Sequence, residues 1–104
     1  MSRELLNYPL YPGDMVTYSC DSTMRIGIIK KAIPYTLVGR PQEYKLSIEF
    51  IWGASTAPVG DITSKLQLVP YKTVVKLRPE EVLPKLDHRV SAKFVELMDK
   101  YKAV

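Results

Sequence analysis

The chain is predicted to be mainly β: a small five-stranded barrel followed by a C-terminal amphipathic α-helix. Three observations lead there. Between residues 13 and 77, turn residues separate five short apolar runs that recur roughly every 10–18 residues, the rhythm of small all-β proteins. The third run alternates along its whole length, with Tyr44, Leu46, Ile48, Phe50 and Trp52 facing inward and Lys45, Ser47, Glu49 and Ile51 facing outward. Beyond residue 78 the apolar spacing changes from two to three and four, which is the helical period.

The elements follow in order. Tyr8-Pro9-Leu10-Tyr11-Pro12-Gly13 brings an extended arm, residues 1–12, into a turn, because a residue before proline is pushed to extended geometry and Pro-Gly is turn chemistry. The barrel is assigned to residues 13–77. Its first strand opens at Gly13-Asp14-Met15-Val16 and puts Val16, Tyr18 and Cys20 on one face. Asp21-Ser22-Thr23 is a polar turn. In the second strand Ile26 and Ile28 share one face, and Gly27, Ile29, Lys31 and Ile33 share the other. Gly27 is expected to mark a bulge or a sharp bend there. Residues 34–43 form the longest loop of the first half, and residues 54–61 a second loop with no apolar period. A fourth strand ends at Pro70 with Leu66 and Leu68 pointing inward, and a fifth covers residues 73–77.

Residues 78–104 form a helical extension of the same single domain. Pro79-Glu80-Glu81 has proline and acids where a helix begins, and Pro84 limits that helix to one turn. Leu86, Val90, Phe94, Leu97, Met98 and Tyr101 then make one apolar stripe on a helix from about residue 86 to 102. The stripe is expected to cover an open end of the barrel, or else to dock a partner.

Charge and cysteine content bound the function. Residues 1–78 hold ten Lys or Arg against six acids, and residues 79–104 hold five of each, so the net charge of +4 lies in the part of the chain that holds the barrel. That excess suits an anionic partner. A single cysteine, Cys20, cannot form an internal disulfide, which makes a reducing cytoplasm the default compartment. No apolar run approaches the roughly 18 residues a membrane span needs. Catalysis has little to build on: His88 is the only histidine, no metal-ligand spacing exists, and no nucleophile elbow, phosphate loop or paired carboxylates are present. The chain is read as a non-enzyme with no cofactor and no small-molecule substrate. The small size and the lack of a targeting segment suit a bacterial or phage accessory protein.

The order of these signals resembles the SH3-like barrels of the Tudor and KOW type across about residues 13–77. Such domains open with a Gly-Asp-x-Val strand, as Gly13-Asp14-Met15-Val16 does. Their second strand mixes basic and apolar residues around a glycine, as Arg25-Ile26-Gly27-Ile28-Ile29-Lys30 does. Their third strand ends in an aromatic and a glycine turn, similar to Phe50-Ile51-Trp52-Gly53, and a leucine-rich fourth strand closes on a proline, similar to Leu66-Gln67-Leu68-Val69-Pro70. The KOW resemblance implies binding to nucleic acid or to the transcription and translation machinery. The Tudor resemblance implies an aromatic cage, which the inward placing of Phe50 and Trp52 argues against.

Two functions follow as expectations. The first is weakly sequence-specific binding of DNA or RNA through a basic face, with Arg25, Lys30, Lys31, Arg40 and Lys45 on the backbone and Trp52 or Tyr35 as stacking surface. Adjacency of the second and third strands would bring Lys31 and Lys45 into one patch. The alternative is a protein–protein adaptor that uses the barrel loops or the C-terminal helix to act on a larger complex.

Overall fold

A computed structural model describes residues 10–36, 38–40, 43–51 and 62–102. Five antiparallel strands, β1 (Met15–Cys20), β2 (Thr23–Tyr35), β3 (Glu43–Ile51), β4 (Ser64–Pro70) and β5 (Val75–Lys76), form one sheet in the order β4-β3-β2-β1-β5. The one-turn helix α1 (Pro79–Val82) and the longer α2 (His88–Lys102) complete the fold. The mainly β class and the terminal helix are as expected. The sheet is open: among the described residues no ladder joins β4 to β5.

The sheet is nonetheless strongly curled. In a flat five-stranded sheet β4 and β5 would lie about 19 Å apart, four spacings of ~4.8 Å. The connection from Pro70 to Val75 is one short 3₁₀ turn, Tyr71–Thr73, and two extended steps, which reach only about 13 Å. Across the concave side the Tyr18 hydroxyl on β1 donates to Gln67 Oε1 on β4 at 3.0 Å, although two strands separate them in the sheet.

Alternation along the strands divides the apolar residues between two cores. The concave face buries Val16, Tyr18, Ile29, Leu46, Ile48, Phe50, Val69 and Val74, with Leu10 from the arm. The outer face buries Met15, Ile28 and Ile51 beneath Val90, Phe94, Leu97 and Tyr101 of α2. The apolar stripe of the helix therefore packs on the protein's own sheet, and on its outer face instead of an open end. Asp87 sets the start of α2 two residues later than the stripe implied. Its carboxylate accepts the Arg89 N–H at 2.9 Å and its carbonyl accepts the Ser91 N–H at 2.9 Å, leaving Leu86 outside the helix.

Two local features shape β2. Gly27 is a site of close approach: a Cβ there would sit 2.4 Å from the Ile48 side chain and 2.9 Å from the Glu49 carbonyl. The bulge lies further on, at Lys30, where the register with β3 passes from Ile29↔Ile48 to Lys31↔Ser47. β2 also runs on through Pro34 and Tyr35, so the expected loop over 34–43 begins later. Proline is tolerated there because β1 stops pairing at Ile28, which leaves this part of β2 with one neighbouring strand among the described residues. The β1–β2 hairpin turns at Asp21 and Ser22, both with positive φ (51° and 64°), as a two-residue turn that continues the strand twist requires. The fifth strand is shorter than expected, Val75–Lys76 alone.

Candidate functional site

The bulge at Lys30 builds a basic strip. Without it, Lys31 would follow Gly27 and Ile29 into the concave core. The extra residue turns Lys31 and Ile33 onto the outer face, where Lys31 stands opposite Ser47 and Ile33 opposite Lys45. Lys31 and Lys45 are thus diagonal neighbours, a separation of about 7–8 Å between backbones. Both are exposed, while Lys30 is half-buried. The Lys45 ammonium lies 5.1 Å above the Tyr35 ring, and the Tyr35 hydroxyl donates to Glu43 Oε1 at 3.5 Å. Tyr35 therefore holds Lys45 in place, and its ring face is already occupied. Arg40 is exposed in the turn that follows β2.

Arg25 is placed differently. Its guanidinium lies 4.5 Å over the Phe50 ring, and its Nη1 donates to Gln67 Oε1 at 2.9 Å. The same oxygen accepts from the Tyr18 hydroxyl, and Gln67 Nε2 donates to Cys20 Sγ at 3.1 Å. This network closes one end of the concave core. Burial pushes the Tyr18 hydroxyl up to about 12, against the opposing pull of the Arg25 charge. Half-buried Arg25 thus satisfies polar groups inside the fold, apart from the Lys31–Lys45 strip. Trp52 and the loop at 54–61 lie outside the described residues.

A second feature of the outer face went unread in the sequence. Leu66 and Leu68, expected inside, are each 55% exposed. Pairing with β3 decides this: Leu66 stands opposite Glu49 and Leu68 opposite Ser47, both on the outer face, whereas Gln67 and Val69 stand opposite Ile48 and Leu46. Apolar content favoured the leucines. Yet Gln67 is the residue whose amide can satisfy Tyr18, Arg25 and Cys20 at once, and Val69 fills the core beside it. The only signal available was the polar triplet Tyr18, Cys20 and Arg25 on one face of the β1–β2 hairpin, which calls for a polar partner.

Chemistry beyond binding finds no constellation among the described residues. No three His, Cys, Asp or Glu side chains are placed to hold a metal. A groove of about 300 Å³ along β5 is lined by Val75, Lys76, Leu77 and Arg78, whose charges pair with Asp14 at 3.5 Å and Glu81 at 3.4 Å. His88 is exposed in the first turn of α2. No described helix is long and apolar enough to cross a membrane. Comparison with protein families, with curated proteins and with solved structures finds no match to this chain.

Proposed function

We propose that the protein is a non-enzymatic binding module that holds a nucleic-acid backbone on the outer face of its sheet. The curled sheet is then an SH3-like barrel of the Tudor or KOW type with one side left open. The strand order β4-β3-β2-β1-β5 and the short 3₁₀ link between β4 and β5 favour that reading. One observation carries the function: the bulge at Lys30 turns Lys31 out of the core and beside Lys45, where Tyr35 steadies the second ammonium. Arg40 extends the strip at the turn. Contacts of this kind hold phosphates and read no bases, so sequence preference is weak.

The test is titration of mixed DNA and RNA probes at low salt with the parent and with Lys31→Glu/Lys45→Glu. The variant should lose binding while its melting temperature stays nearly unchanged, since exposed lysines contribute little to stability. The parent should show a log–log salt slope of about −3 for duplex DNA, from roughly three phosphate contacts. If the variant binds as well as the parent, the strip is a solvated face and the reading fails. A protein–protein adaptor is the second reading, favoured by the exposure of Leu66 and Leu68 next to the same strip.

A further inference from the structure

β4 is an edge strand. Among the described residues its one neighbour in the sheet is β3. Natural edge strands are blunted by charges and prolines. Here those devices stand only near the two ends, at Lys65 and Pro70, and the centre Leu66-Gln67-Leu68-Val69 carries no charge. The two leucines add an exposed apolar surface to that unprotected centre.

We infer that β4 pairs with β4 of a second copy of this chain, antiparallel about a two-fold axis at Gln67, to give one continuous ten-stranded sheet. The strand is self-complementary in that register. Gln67 faces Gln67 of the partner subunit, and Leu66 faces Leu68 of the partner subunit on the outer face, so four leucines meet in one cluster. On the concave side Lys65 faces Val69 of the partner subunit, and the two lysines are four positions apart along the ladder, roughly 13 Å. No like charges oppose one another, which is what pairing of a chain of net charge +4 with its own copy demands. Sliding the register by one residue would set Leu66 against Gln67 and break the leucine cluster. An extended segment of another protein would need its own apolar pair at the right spacing; a second copy supplies it by symmetry.

Four leucine side chains and two short strand edges bury less than the ~1,200 Å² of a standard interface, so the dimer is weak and depends on concentration. The inference goes beyond nucleic-acid binding and is independent of it, because Lys31 and Lys45 lie on β2 and β3 and take no part in the β4 edge that pairs. If both hold, the dimer carries two basic strips on one continuous face and binds a long anionic chain at both.

Sedimentation of the full chain from about 10 to 500 μM is the first measurement. The expected result is a mass rising from 11.9 kDa toward twice that value, with Leu66→Lys/Leu68→Lys staying at 11.9 kDa throughout. Register is tested in a Cys20→Ser background with Leu66→Cys and Leu68→Cys made as separate proteins. A mixture of the two should form a disulfide-linked dimer on mild oxidation and neither should do so alone, because positions 66 and 68 oppose each other while each is offset from its own copy. A parent that remains 11.9 kDa at 500 μM, or cross-linking as efficient within each single variant as in the mixture, would overturn the inference and leave the leucines to a different partner.

Discussion

The outer face of the sheet has two halves that the same strands build and that end differently. In one, Met15, Ile28 and Ile51 lie under α2 and are no more than 2% exposed. In the other, Lys31, Ile33, Tyr35, Lys45, Leu66 and Leu68 lie bare or half-covered. Glu49 stands at the border. It accepts hydrogen bonds from the Ser64 hydroxyl at 2.5 Å and from the Tyr101 hydroxyl near the end of α2. The helix is seated on one half by shape and on the border by this carboxylate. Two halves of one face, with the same pleat and the same period, thus differ in burial because a helix reaches one and stops at Glu49. Alternation assigns a residue to a face; whether that part of the face is dry is a tertiary matter.

The largest test of this division is to remove the side chain that fills the covered half. Phe94 is fully buried under the sheet, and Phe94→Ala should cost about 3–5 kcal/mol, a large share of the ~5–15 kcal/mol available to a domain of this size. Tyr35→Ala in the bare half, matched for aromatic loss, should cost less than about 1 kcal/mol. Urea unfolding of both variants measures the contrast. Equal losses would mean that the bare half is covered in solution by something of comparable size.

An intermediate effect is expected from pH at the border. Burial pushes the Glu49 carboxyl up, but the hydrogen bonds from Ser64 and Tyr101 and the charges of Lys100 and Lys93 outweigh it and hold the group below its ordinary 4.5. A carboxyl lowered in the folded state contributes stability that is present above that ordinary value and is lost as pH falls through the folded value. Tyr101 moves the other way: burial, then the bond to Glu49 and its charge, push its hydroxyl up to about 12. The stability it contributes is complete below pH 10 and is lost as pH rises from about 10 to about 12. The helix should therefore be seated most firmly between these limits. Glu49→Gln should flatten the acid limb of a stability–pH profile. An unchanged limb would mean that other carboxylates set it.

How much of this was legible follows from the range of the forces involved. The inward face of β3 and the α2 stripe were readable because each is dictated by one periodicity, and Leu46, Ile48, Phe50, Val90, Phe94, Leu97 and Tyr101 are buried as the spacing required, whereas Ser47 and Ile51, expected outward, are buried too. The polar turn at Asp21-Ser22 was readable from local chemistry. The bulge at Lys30 was not, because it carries no glycine and shows only in the register of two paired strands. The orientation of β4 was hidden for a similar reason. Leu66 and Leu68 outrank Gln67 and Val69 in apolar content, and only the need to satisfy Tyr18 and Arg25 from across the curled sheet reverses the order. Adjacency of β2 and β3 put Lys31 near Lys45 correctly, although the side chains reach a common face only through that unread bulge.

The smallest expected effect lies at the leucines of the bare half, and there a near-zero result is the informative one. Leu97 in α2 is 1% exposed, so Leu97→Ala should cost about 2–5 kcal/mol. Leu68 is 55% exposed and stands opposite Ser47, so in dilute protein Leu68→Ser removes few contacts and should change stability by no more than about 0.5 kcal/mol. The measurement needs two concentrations. At a few micromolar the parent and Leu68→Ser should melt together. At several hundred micromolar the parent alone should gain melting temperature, because an association that requires the folded strand stabilises it by mass action. A Leu68→Ser variant already destabilised by 2 kcal/mol or more in dilute solution would place Leu68 in the monomer core and erase the distinction between the two halves.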